Sequence, residues 1–187
     1  MPRQTRDQVD AEILDRACGL FARQGVARTS LQQVADEVGY SKAGLLHHFP
    51  SKEAIAEAAI AAAGRTNTEL VERAAQVPPG IERDALLIEA LVENAFRWPG
   101  TAAFLSSAAS ADPASAPPAL VQAGLDLIEA FGLGSGRADD PRPVQVISAC
   151  AGIQVATEAA VRSQKTHAWR PHIIATAMAA LGHRPAS

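Results

Sequence analysis

This 187-residue chain is expected to be an all-α protein of about nine helices, on three observations. Apolar residues recur at helical spacing along nearly its whole length; Leu31, Val34, Ala35 and Val38, for instance, stand at i, i+3, i+4 and i+7. Start and stop signals punctuate that pattern, with Ser or Thr ahead of apolar rows and Gly or Pro behind them. Hydrophobic residues make up 48% of the chain but aromatics only 4%, a composition that suits helices packed closely on Ala, Leu, Val and Ile. No convincing strand and no internal repeat is present.

The first helix starts at Thr5, with Gln8 at the capping-box position, runs along Val9, Ile13, Ala17, Leu20 and Phe21, and ends at Gly25. Ser30 and Gln33 form a second capping box, and Gly39 closes that helix with a left-handed residue. Ser41 caps a third helix whose apolar row is Leu45 and Phe49. Ser51 starts a long fourth helix that reaches about Gln76, before the breaker Val77-Pro-Pro-Gly80. Ile81–Trp98 follows and stops at Pro99-Gly100; a shorter apolar piece, Thr101–Ala111, ends at Asp112-Pro113. Pro117 and Pro118 open a helix through Phe131, Gly132–Pro143 reads as a loop, and Val144–Gln164 and Trp169–Leu181 are the last two helices. The expected division is an N-terminal domain over residues 5–65 and a C-terminal helical domain over 66–187.

The second and third helices carry the functional signal. Two capped helices with one glycine between them cannot lie collinear; they must cross steeply, as in a helix-turn-helix. Ala35 is small enough for close approach at the crossing, and Val34, Val38, Tyr40 and Leu45 fill the angle. A bland helical hairpin reproduces two or three of these choices by chance, and matching all of them together with both caps favours DNA binding over it. Net charge is −3, so any basic footprint must be local. Residues 1–52 hold seven cations against six anions, +1, leaving −4 for the remainder.

These residues resemble the tetracycline-repressor (TetR) family of bacterial transcription regulators over roughly Ile13 to Ile60. The resemblance rests on Leu20-Phe21-Ala22-Arg23-Gln24-Gly25, Thr29-Ser30-Leu31, Val34-Ala35, Val38-Gly39, Ser41-Lys42-Ala43-Gly44-Leu45 and His48-Phe49-Pro50-Ser51-Lys52-Glu53. It implies that the first three helices read DNA and that the rest is a helical ligand-binding and dimerisation domain. Leu46 departs from the family, which usually has an aromatic there that touches the DNA backbone; His47 is expected to take over part of that contact.

The helix from Lys42 to Phe49 would enter the major groove, where each base pair shows a distinct donor and acceptor pattern. Lys42 and Ser41 lie at its N-terminal end, Ala43 and Gly44 are small enough to touch thymine methyls, and His47 points outward. Thr29, Ser30 and Lys52 are expected to anchor phosphates, or, for the hydroxyls, only to cap. His48 reads two ways, as a base reader or as a packed, hydrogen-bonded core histidine.

The partners expected are therefore double-stranded operator DNA, a second copy of the chain and a small-molecule effector. The homodimer is read from the small residues Ala149, Gly152, Ala156 and Ala160 on one helix and Ile173, Ile174, Ala177 and Leu181 on the last. Finishing the monomer core is the plainer use of both faces. Candidate pocket walls are Trp98, Phe104, Leu125 and Ile153, with Asn94 and Gln154 as polar groups, although an aromatic row is also ordinary core. Their sparse charge points to a largely hydrophobic effector.

No catalytic constellation, no metal-ligand spacing and no cofactor motif is found, which argues against a helical enzyme. Cys18 and Cys150 read as small buried hydrophobes in a reducing cytosol. With no signal-peptide core and no apolar run judged long enough to span a bilayer, a cytoplasmic protein with no membrane partner is expected. The rival reading is a helical interaction module that no longer reads DNA, supported by Leu46 and the acidic balance.

Overall fold

The computed structural model describes residues 5–110, 117–132 and 139–183, and these contain nine α-helices and no strand. They are α1 (Arg6–Gln24), α2 (Leu31–Val38), α3 (Lys42–His48), α4 (Lys52–Ala75), α5 (Ile81–Arg97), α6 (Pro99–Ser110), α7 (Pro118–Ala130), α8 (Arg142–Arg162) and α9 (Thr166–Ala180). Positions 133–138 of the expected loop and the expected Asp112-Pro113 break fall outside the described residues.

Local chemistry sets the early boundaries. Thr5 and Gln8 cap α1 reciprocally, and Ser30 and Gln33 do the same for α2. Gly39 takes φ 77°, and the Tyr40 N–H donates to the Ala35 carbonyl at 2.9 Å, closing α2 through a left-handed residue. The Ser41 hydroxyl accepts from Gly44 N–H at 3.0 Å and starts α3. Phe49 ends α3 in extended backbone, as a residue before proline must.

The chain divides into two compact units. The first takes in Met1–Ala63 and Gly100–Leu120, so α6 belongs with the N-terminal helices. Its core joins Ile13, Ala17 and Phe21 of α1 to Val34 and Ala35 of α2, Leu45 of α3 and Ile55 of α4. Each large apolar side chain fully buried there contributes about 1.5–3 kcal/mol of transfer free energy. The second unit, Gly64–Pro99 with Val121–Ser187, packs α5, α8 and α9 around Leu87, Ile88, Val92, Val146, Ile153 and Ile173.

Three later boundaries differ from the sequence expectation. Pro99-Gly100 is not a break but the first turn of α6, because proline lacks only an N–H that a helix start leaves unpaired anyway. The cap comes from another helix: the Asp15 carboxylate of α1 accepts from Thr101 N–H at 2.8 Å. α9 begins at Thr166 and keeps Pro171 inside it. α8 stops at Arg162, where Gln164 takes φ 57° and Lys165 N–H closes on the Ala160 carbonyl at 2.8 Å, a left-handed stop without glycine. α8 is also long and apolar enough, by length and composition alone, to cross a membrane, contrary to the sequence reading. Its inner face is nevertheless spent on the second unit's core, and Arg142 in its first turn is ion-paired to buried Asp84.

Gly100 is where α6 meets α1 most closely. A Cβ there would lie 1.9 Å from the Asp15 carbonyl oxygen and 2.9 Å from Gly19 N, both backbone atoms. Gly100→Ala is therefore expected to push the start of α6 off α1 and break the Asp15–Thr101 bond. The cost expected is at least the ~1–3 kcal/mol of an overpacked core, read as a lower midpoint of chemical unfolding followed by circular dichroism. An unchanged midpoint would show that α6 does not sit on α1 as described.

Candidate nucleic-acid interface

The surface of α3 is assembled by caps behind it and a core beneath it. Leu45 is fully buried and Phe49 nearly so, which fixes one side of the helix downward. Ser41, Lys42, Ala43, Leu46 and His47 are then exposed, Leu46 at 43% of its surface, and Gly44 is half-buried. An exposed leucine beside lysine, alanine and histidine makes a face with few charges that covers no core. Ser30 and Ser41 are also exposed, and each hydroxyl accepts from a backbone N–H, which leaves its own hydrogen free to donate to a phosphate.

Two expected phosphate anchors are otherwise engaged. Lys52 is turned inward: its Nζ donates to the carbonyls of Val26 at 2.9 Å, Ala27 at 3.1 Å and Thr29 at 2.7 Å. An ammonium has three hydrogens, and here all three bind the turn between α1 and α2. Thr29 is 2% exposed, and its hydroxyl donates to the Gly25 carbonyl at 2.8 Å. Both residues brace the turn; neither side chain faces outward.

His48 takes the packed alternative. It is half-buried, with Nδ1 2.5 Å from the Asp10 carboxylate of α1 and the Tyr40 ring edge-on at 5.5 Å. Arg6, one turn before Asp10, donates from Nη2 to the His47 backbone carbonyl at 3.1 Å. The sequence reading assigned neither Arg6 nor Asp10 a role in the interface. Their i, i+4 spacing beside the apolar row of α1 was the available signal, but nothing local shows that this face meets α3.

In the second unit, the residues expected at a dimer interface separate by exposure. Ala149, Ala160, Ile173, Ala177 and Leu181 are buried in the unit's own core, Ala156 and Ile174 are half-buried, and Gly152 is exposed. Small side chains let α8 and α9 pack closely within one chain, which absorbs most of the row. The apolar residues left outside on α8 are Val144 (67% exposed), Ile147 (59%) and Val155 (67%). A groove of about 350 Å³ between α8 and α9 is lined by Gly152, Ile153, Trp169 and His172, among others.

The expected effector residues do not converge on one cavity. Phe104 is part of the first unit's core, with its ring 6.0 Å from Phe21. Leu125 is 55% exposed, Ile153 lines the α8–α9 groove, and Trp98 is half-buried beside the Arg97 guanidinium. Asn94 and Gln154 are half-buried. Burial pushes the Cys18 thiol up to about 12 and the Cys150 thiol up to about 11, so neither is a thiolate near neutral pH.

A capped helix-turn-helix braced by a third helix, with its second helix exposed, is the arrangement by which DNA-reading domains present a helix to the major groove. The profile described as "Bacterial regulatory proteins, tetR family" matches residues 13–59. Over those residues the chain is similar to this family's DNA-reading region. The HTH-type transcriptional repressor KstR2 of Rhodococcus jostii (strain RHA1) is 41% identical over 46 residues, which are 25% of this chain and 22% of that protein. The match thus spans well under two thirds of that relative's length. A putative tetR family transcription regulator from Shewanella sp. PV-4 is 26% identical, with 95% of this chain and 96% of that one covered and a TM-score of 0.54. The ketosteroid transcriptional regulator KstR2 of Mycobacterium tuberculosis shares the fold at 18% identity, covering 93% and 95%, with a TM-score of 0.54.

Proposed function

We propose that this transcriptional regulator is a homodimeric repressor that binds a pseudo-palindromic operator and leaves it when a small, largely hydrophobic effector binds. The observation that carries the reading is the exposed Lys42–His47 face of α3, on a helix capped by Ser41 and held on a buried core. In the major groove, Lys42 meets phosphate or guanine, Ala43 and Leu46 offer apolar contact to thymine methyls, and His47 donates to a base edge or phosphate. Ser30 and Ser41 anchor phosphates at two helix starts.

One such helix covers too few base pairs for useful specificity, so two copies must present their reading helices about 34–36 Å apart, or a multiple of that. The exposed Val144, Ile147 and Val155 on α8 are the surface proposed to bring the copies together. The effector is proposed to sit among the apolar helices of the second unit. It weakens operator binding only by its differential affinity for a conformer with misplaced reading helices.

Binding of duplexes from the region upstream of this gene, measured at several salt concentrations, tests the reading. Lys42→Ala is expected to weaken binding and to lower the slope of log K against log salt by about one, as expected for one lost phosphate contact. Wild-type protein that binds none of these duplexes at low salt would favour the interaction-module reading instead. A Lys42→Ala slope equal to that of wild type would move the phosphate contact elsewhere.

A further inference from the structure

A helix of seven residues with one buried side chain, Leu45, does not fix its own orientation. The C-terminal end of α3 gets its placement from α1. Asp10 binds His48 Nδ1 at 2.5 Å, and Arg6 donates to the His47 carbonyl at 3.1 Å while lying 3.9 Å from the same Asp10 carboxylate. Tyr40, just after the turn glycine, closes the other side of the His48 ring. The result is a short chain of polar contacts from α1 through the last turn of α3, directly behind the exposed Leu46 and His47.

We propose that Asp10 is a positioning residue for DNA reading: through His48 it sets where the end of α3, and so Leu46 and His47, meets the base edges. The proposal rests on α3 being the helix that enters the groove. It makes a prediction opposite in sign to simple electrostatics. A carboxylate near a DNA-facing helix repels phosphate, so deleting it should strengthen binding to any duplex if charge were its whole contribution. A positioning role instead costs binding only where base contacts count, because base contacts specify while phosphate contacts are made on every sequence.

The experiment uses the full chain with Asp10→Ala, Asp10→Asn and His48→Ala. Each is titrated against the tightest-binding upstream duplex and against a scrambled duplex of equal composition, well below the unfolding midpoint of each variant. Asp10→Ala is expected to lower affinity for the upstream duplex about tenfold, the size of one lost base-edge contact. Its affinity for the scrambled duplex should be unchanged or higher, with no loss of salt slope. Asp10→Asn keeps an acceptor for His48 and should restore most of the preference, and Asp10→Ala should add little once His48 is alanine. Equal loss on both duplexes would reduce Asp10 to a general folding role and overturn the proposal. So would an undiminished preference in Asp10→Ala. Wild-type protein without any preference would overturn the DNA-reading assignment itself, a result distinguishable from either.

Discussion

Asp84→Ala is expected to cost about 3–5 kcal/mol of unfolding free energy, the range for removing one partner of a buried ion pair. Asp84 is 2% exposed in the first turn of α5. Its two carboxylate oxygens lie 2.6 and 2.7 Å from Arg142 Nη2 at the start of α8, and one of them is 2.6 Å from His183 Nε2 beyond the end of α9. Arg142 also donates to the Phe131 carbonyl, from Nε at 3.1 Å and Nη2 at 2.9 Å, and from Nη1 to the Leu181 carbonyl at 3.4 Å. The ends of α5, α7, α8 and α9 thus share one charged junction. Without Asp84 the guanidinium keeps its carbonyls but loses the buried carboxylate that binds it at 2.6 and 2.7 Å. Both tryptophans, Trp98 and Trp169, lie in the second unit, so their fluorescence in a urea titration reads this loss directly. Asp84→Leu combined with Arg142→Met should recover much of it, since an apolar pair removes the stranded charge. A loss under about 1 kcal/mol, the scale of a surface pair, would mean that the junction is wetter than its geometry implies.

Ile147→Glu with Val155→Glu is expected to turn the proposed dimer into a monomer and to weaken the proposed operator binding by about a hundredfold or more, as the second half-site contact is lost. Both side chains are more than half exposed, so the helical content and unfolding midpoint of the isolated chain should hardly change. The two positions lie about two turns apart on one side of α8, so the charges would meet their counterparts across any two-fold interface built on this helix. Sedimentation velocity at micromolar concentration gives the answer. A wild-type monomer, or a doubly substituted variant that still sediments as a dimer, would remove α8 from the interface.

The parts legible in the sequence are those decided within four or five residues. Capping boxes at Thr5 and Ser30, the left-handed Gly39 and the Ser41 cap are local chemistry, and the structure shows each as expected. What escaped was decided by distant partners. Nothing beside Lys52 announces that its ammonium meets carbonyls more than twenty residues back, and an exposed-looking lysine at a helix start reads as a phosphate anchor. Phe104 reads as a pocket wall until Phe21 is found against it. Pro99-Gly100 reads as a break because its cap sits on Asp15, 86 positions away from Thr101. The small-residue row of α8 was recognised, but periodicity does not say which side of a helix a neighbour in the same chain has already taken.

The borrowed cap on α6 has a thermodynamic consequence. α1, α2 and α3 carry their own capping hydroxyls, so their starts do not depend on a neighbouring helix. The first turn of α6 has its acceptor on α1, and that carboxylate is partly stripped of water, which holds its pKa above the usual aspartate value. Lifting α6 away would strand an N-terminal amide and return Asp15 to solvent in the same motion. Seating and helix initiation are then a single equilibrium rather than two. Loss of the seat therefore removes the cap as well, so the start of α6 is only as stable as its contact with α1.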